Sequence, residues 1–284
     1  MDAGDSIQGG LIGSMSHGSY IIDIMNEVGY DVAAIGNHEF DYTIPMLMKR
    51  AEELDCGYIS CNFKNLETNE LVFDPYRIVD MDGTKVAFVG VSTPETIRYS
   101  TPVYFQNDKG EYIYTFCEYG NDLYDTVQEN VDKIKAEGAD YVILLSHLGE
   151  SNVEESWSSV KVAANTTDVD AILDGHSHEV TDQLTVKNKN GEDVLISQTG
   201  TKLKNIGKLT ITKDGKIKTE LVDKVPEPDS SMEFPDDSWK EAENRTAVKR
   251  LFKAGRMALT FIRLSKVDFD TRRKCFSLSI SSSS

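Results

Sequence analysis

The sequence predicts an α/β fold built as a layered sandwich, two sheets flanked by helices. Three observations carry this. Strand-sized apolar runs alternate with helical periodicity over most of residues 1–175, and residues 183–222 then turn to a β pattern. Four of the five histidines stand at the ends of apolar runs, where open α/β sheets place their ligands.

Taken in order, residues 19–29 carry Ile21, Ile24, Met25 and Val28 at helical spacing, with Gly29 as the stop. Residues 32–35 read as a short buried strand ended by Gly36. Residues 44–54 read as a second helix, with Pro45 tolerated in its first turn. A short strand follows at 58–60, and strands at 76–81 and 85–91 flank the hairpin turn Asp82-Gly83. The clearest helix is 121–137, with Leu123, Val127, Val131 and Ile134 in register and Gly138 after it. Residues 141–145 form a wholly apolar strand, 153–164 a helix and 171–173 another strand. Four β segments close the pattern at 184–186, 194–196, 208–212 and 216–221, with turns at Asn190-Gly191 and Asp214-Gly215.

Residues 1–225 are expected to form one domain. Pro226, Pro228 and Pro235 mark 226–240 as a linker. Residues 241–284 form a basic, serine-rich tail, expected to be disordered or non-native, in which 241–264 could form a helix. The net charge of −17 divides unevenly between these parts. The tail holds ten basic and four acidic residues, a net +6, which leaves −23 for residues 1–240. So acidic a body disfavours binding to a nucleic-acid polymer by bulk electrostatics. No apolar run reaches the ~18 residues that a membrane span needs. The four cysteines form no CxxC pair; Cys56 and Cys61 are spaced to permit a bridge, but free thiols are the simpler reading. No basic, apolar leader precedes Asp5, so the chain reads as starting inside a longer protein.

The chemistry-bearing residues sit at the strand ends. His38 follows the first strand, His147 the 141–145 strand, and His176 and His178 the 171–173 strand. Neutral imidazole is the commonest protein ligand for a metal. In Gly175-His176-Ser177-His178, an extended His-x-His puts both rings on one side, for one metal together or for one each of two neighbours. Asp5, on the tight turn Asp2-Ala3-Gly4-Asp5, offers two oxygens that can serve two different ions. Asn37 offers an amide oxygen. His38 can stay free of metal and face a substrate, with Asp41 holding its ring and favouring its protonated form. Asp41 can also serve as a helix N-cap. Glu39 is expected to make structural hydrogen bonds, His17 to be a surface-loop histidine, Arg98 and Lys202 to be solvated charges, and Trp157 and Trp239 to pack or to stack.

Ile35-Gly36-Asn37-His38-Glu39-Phe40-Asp41 resembles a signature of the 5'-nucleotidases among the calcineurin-like metallophosphoesterases. Asp2-Ala3-Gly4-Asp5 with Gln8-Gly9, Ser146-His147-Leu148-Gly149 and Gly175-His176-Ser177-His178 resemble the family's other motifs in order and spacing. The resemblance covers residues 1 to about 225. It implies the four-layer α-β-β-α sandwich of that family, here lacking its first strand, and hydrolysis of nucleotides or other small phosphate esters. It further implies two divalent ions (Mn, Zn, Co or Mg). Asp5 would bridge them, Asn37, His147 and His176 would complete the second site, and His178 would belong to the first. His38 and Asp41 would form the catalytic dyad. The Asp-x-His that supplies the family's first metal is not found ahead of Asp5, so that site is expected to be weakened. A truncated or frame-shifted reading frame is the expected cause at both ends. 2',3'-Cyclic-nucleotide phosphodiesterase and nucleotide-sugar hydrolase activities use the same motifs, and a metal-binding remnant without turnover is the reading from a different class. The family's frequent location outside the cytoplasm implies the same for the full-length protein.

Overall fold

A computed structural model describes residues 1–151, 154–222 and 275–277. Its centre is a six-stranded sheet in the order Val180–Lys187, Asp193–Thr199, Ala171–Asp174, Tyr141–His147, Thr84–Ser92, Tyr76–Met81. The four inner strands run parallel, and each edge strand is joined to its neighbour antiparallel. The inner strands are largely buried because both of their faces are covered. The hairpin between the last two strands in that order turns at Asp82 (φ 54°) and Gly83 (φ 92°), the backbone that an Asp-Gly pair tolerates.

One face of this sheet packs on the helices Asp122–Ala136 and Ser159–Asn165. Leu123, Val127, Val131 and Ile134 lie on the buried side of the longer helix, as their spacing predicts. Each contributes about 1.5–3 kcal/mol by leaving water. The other face packs on smaller sheets through Val86, Phe88, Ile143, Leu145 and Leu173, which meet Ala34, Ile59 and Leu209. Ala33–Ala34 pairs parallel with Tyr58–Ile59, and Asp2 bridges in parallel to Ala33. Beyond these strands the helices Ser19–Val28 and Ile44–Glu53 close a third core around Phe40, Phe63, Phe105 and Phe116. The layers are thus α, β, β, α.

Several predicted elements are adjusted. The strand after the longest helix continues through Ser146 and His147. The single helix over 153–164 gives way to a 3-10 turn at Glu155–Trp157 and a helix at Ser159–Asn165. Between them Ser158 is extended (φ −67°, ψ 152°) and its hydroxyl accepts the Lys161 N–H at 3.3 Å, so a new N-cap restarts the helix. Thr43, not Asp41, caps the Ile44–Glu53 helix, accepting from the Met46 N–H at 3.4 Å. The Gly10–Ser16 helix lacks a buried apolar stripe, with Leu11 and Met15 exposed, and periodicity did not reveal it. Ile206–Ile211 and Ile217–Val222 form an antiparallel pair, joined on the other side by Cys275–Ser277. That short strand lies in the stretch expected to be an unstructured tail. The predicted linker over 226–240, Trp239 and the possible helix over 241–264 lie outside the described residues. Cys56, Cys61 and Cys117 are free thiols.

Candidate active site

The C-terminal ends of the parallel strands meet the loop that follows Asp2. That loop is held by one buried carboxylate. Glu39 is fully buried, and its two oxygens accept the N–H groups of Asp5 (2.7 Å), Ser6 (2.6 Å), Ile7 (3.3 Å) and Gly36 (2.7 Å). It is the structural residue that its motif position suggested. Burial and the neighbouring Asp5 charge push its carboxyl up, against the pull of these backbone bonds. The loop turns at Gly4 (φ 95°), whose N–H is accepted by Asp2 Oδ1 at 2.9 Å. A Cβ at Gly4 would lie 2.5 Å from the Gly36 nitrogen and 2.8 Å from His147 Nδ1. A Cβ at Gly36 would lie 2.3 Å from Asp5 Oδ1. Glycine at both positions lets the loops close on the His147 ring.

Asp5 is 1% exposed, with a left-handed backbone (φ 63°). Its Oδ1 accepts the His38 N–H at 2.8 Å, and its Oδ2 is 3.0 Å from His147 Nε2. Burial alone would raise its pKa, but the His147 and His38 charges prevail and hold it well below the usual carboxylate range. His147 is wholly buried, and its Nδ1 donates to the Ala3 carbonyl at 2.8 Å. The other ring nitrogen therefore points at Asp5 and, at 3.2 Å, at Asn37 Oδ1. Burial opposes a charge on this ring, yet Asp5 and the Ala3 carbonyl raise its pKa to about 9. The turn after His147 is fixed by Asp174, 2% exposed, whose Oδ1 accepts the Ser146 hydroxyl (2.7 Å) and the N–H groups of Leu148 (3.1 Å) and Gly149 (3.3 Å).

His176 completes this group, with Nδ1 3.0 Å from Asn37 Oδ1 and its ring centroid 5.1 Å from that of His147. Its Nε2 is 3.0 Å from Glu95 Oε2. Burial acts to raise the Glu95 pKa, but His176, the Glu154 N–H and Arg98 bring it below its usual value. His178 stands apart from these hydrogen bonds. Burial, with His147, His176 and His38 nearby, lowers its pKa against the attraction of Asp5. The His-x-His segment is not extended: both histidines have left-handed backbones (φ 80° and 59°), so a local bend rather than strand alternation orients the two rings.

His38 and Asp41 form the open flank. Nδ1 of His38 is 2.7 Å from Asp41 Oδ2, and the side chains are 29% and 23% exposed. The Asp41 bond outweighs burial, and with Asp5 it raises the His38 pKa to about 9. His17 is an exposed loop residue whose ring lies 5.0 Å from Tyr42. Trp157 packs with 8% exposure, under the Arg98 guanidinium at 5.3 Å.

Asp5 Oδ2, Asn37 Oδ1, His147 Nε2 and His176 Nδ1 thus converge, with His147 fixed from behind by a backbone carbonyl. Among the described residues no group of three or more His, Cys, Asp or Glu side chains is by itself assembled to hold a metal. The set is complete only with the Asn37 amide oxygen, and two oxygens with two imidazole nitrogens suit a divalent ion of the Mn, Co or Zn kind. The residues therefore fit the cation that the motifs imply. Glu95 and Asp174 were missed in the sequence. The signal for both was position, at the carboxyl end of a parallel strand.

Residues 1–180 match the family described as calcineurin-like phosphoesterase. A 5'-nucleotidase of Vibrio cholerae is 30% identical over 165 residues, covering 55% of this chain and 28% of that protein. A 2',3'-cyclic-nucleotide 2'-phosphodiesterase/3'-nucleotidase of Haemophilus influenzae is 28% identical over 200 residues, covering 63% of this chain and 29% of that one. The crystal structure of a 5'-nucleotidase precursor from Thermus thermophilus superposes with a TM-score of 0.66 at 28% identity, covering 78% of this chain and 44% of that one. The chain spans less than a third of the length of these two curated relatives. No helix among the described residues is long and apolar enough to cross a membrane.

Proposed function

The chain belongs to the calcineurin-like phosphoesterase family, and on that premise we propose that it hydrolyses phosphate esters, with nucleotides as the substrate class. The observation that carries the reading is the convergence of Asp5, Asn37, His147 and His176 beside the His38–Asp41 pair. We assign residues 1–225 to the catalytic unit, with 226–240 as linker. Asn37, His147 and His176 would hold one divalent ion, His178 would belong to a second, and Asp5 would serve both. Such ions, when bound, would supply Lewis-acid polarisation of the phosphoryl group and activation of water.

The side chains supply the rest. Glu39 fixes the Asp5 and Gly36 backbones, so the carboxylate is aimed before any ligand arrives. His38 Nδ1 is bound to Asp41, which leaves Nε2 to meet the substrate. Held as an imidazolium, it stabilises negative charge on the phosphoryl oxygens and protonates the leaving alkoxide. The acidic body need not repel the anionic substrate at the site, because bound cations would supply the local positive charge. Similarity to the cyclic-nucleotide phosphodiesterase makes a 2',3'-cyclic nucleotide the second substrate to assay.

The test joins elemental metal analysis to hydrolysis of a nucleoside 5'-monophosphate and a 2',3'-cyclic nucleotide with Mn²⁺ supplied. Bound metal and phosphate release lost in His38→Ala are expected. Metal bound without turnover on either substrate would reduce the chain to a metal-binding remnant.

A further inference from the structure

The Glu95 carboxylate is 5% exposed and anchored on both sides. Its Oε2 lies 3.0 Å from His176 Nε2, and its Oε1 accepts the Glu154 N–H at 3.1 Å. Its own N–H donates to Thr93 Oγ1 at 3.2 Å, and the Thr96 hydroxyl donates to the Thr93 carbonyl at 2.7 Å. This turn directly follows the Thr84–Ser92 strand, which contributes no histidine to the site. The carboxylate therefore has little freedom to follow the ring, and the ring must follow the carboxylate.

We propose that Glu95 is a positioning residue that keeps a proton on His176 Nε2 and turns its Nδ1 toward the metal shared with Asn37. The inference rests on the metal-site reading above. An ionised carboxylate only accepts hydrogen bonds, so the nitrogen facing Glu95 must carry the proton. With Nε2 protonated, the other nitrogen is the one a metal can take, giving up the proton it donates to the Asn37 oxygen in the metal-free chain. That nitrogen is Nδ1, 3.0 Å from Asn37 Oδ1. The His176 backbone is left-handed (φ 80°), outside the region that orients most side chains. A partner at the far edge of the ring supplies the orientation. Outer partners of this kind raise the basicity of a ligating histidine and are typically worth ~10–100-fold in metal affinity.

The test needs the free protein first. Nitrogen-15 NMR of the metal-free chain above pH 7 is expected to show His176 protonated at Nε2. A ring bare at Nε2 in the wild type overturns the proposal without any variant. In Glu95→Gln the amide can present an N–H or an oxygen, so a mixture of tautomers is expected. Zn²⁺ affinity by calorimetry should fall ~10–100-fold, with the thermal unfolding of the metal-free variant near that of the wild type. Unchanged tautomer and unchanged Zn²⁺ affinity in Glu95→Gln would also overturn it. A wild type that binds no Zn²⁺ and releases no phosphate would defeat the proposed function instead, and the tautomer would still decide the role of Glu95.

Discussion

The two flanks of the site are built differently. Asp5 and His147 are sealed, at 1% and 0% exposure, and their side-chain polar atoms are held by backbone or by each other. His38 and Asp41 keep 29% and 23% exposure and hold each other across a single bond. In the proposed reaction the sealed flank carries charge that must not move. The open flank would carry charge that reaches a substrate and exchanges a proton. Burial thus separates holding from reacting, although Asn37 and His38 are neighbours in the chain.

The largest effect should come from breaking the sealed flank. Asp5→Ala leaves His147 buried opposite no carboxylate, and removing one partner of a buried pair typically costs about 3–5 kcal/mol. Urea unfolding of the metal-free protein should show a loss of that order, and calorimetry should show metal binding abolished. Next is Glu39→Ala, which leaves four buried N–H groups without their acceptor. A loss of about 3 kcal/mol is expected from the stranded donors, with metal affinity falling alongside.

On the open flank the effect is a shift in pH dependence. The His38 pKa is raised to about 9 from 6.5. Its contribution to stability is thus fully present below pH 6.5 and is lost as pH rises through about 9. An NMR titration of the metal-free protein should place the His38 midpoint near 9, and Asp41→Asn should return it toward 6.5. His147 is also raised to about 9 and adds a decline of the same sign, so Asp41→Asn should flatten only part of the alkaline loss. The smallest effect belongs to His17→Ala, because His17 is exposed and touches Tyr42 rather than the metal-facing groups. Metal affinity and turnover should change less than about twofold, as for most surface substitutions.

Much of this contrast could be read from the chain. Apolar periodicity marks the parallel strands, and the strand-end rule gathers His38, His147, His176 and His178. Glu95 escaped because it reaches His176 across the sheet, from a strand that has no histidine of its own. The break at Ser158 escaped because apolar spacing continues through it, and only the serine's capping bond interrupts the helix. The Gly10–Ser16 helix escaped for the opposite reason, since its apolar residues face outward and leave no buried stripe to detect.

Glu39 gathers the loop bearing Asp5 and the loop bearing Asn37 onto one carboxylate. The two loops therefore share one rigid frame, and the gap between the Asp5 and Asn37 oxygens is preset. At the proposed metal site a larger or smaller ion could not be accommodated by spreading that frame. With His176 held by Glu95, the adjustment would fall to His178, whose backbone is bent. Discrimination by ionic radius would then reside in that ring, and a softer Glu39 anchor would widen the range of ions accepted before it weakened the binding of any one of them.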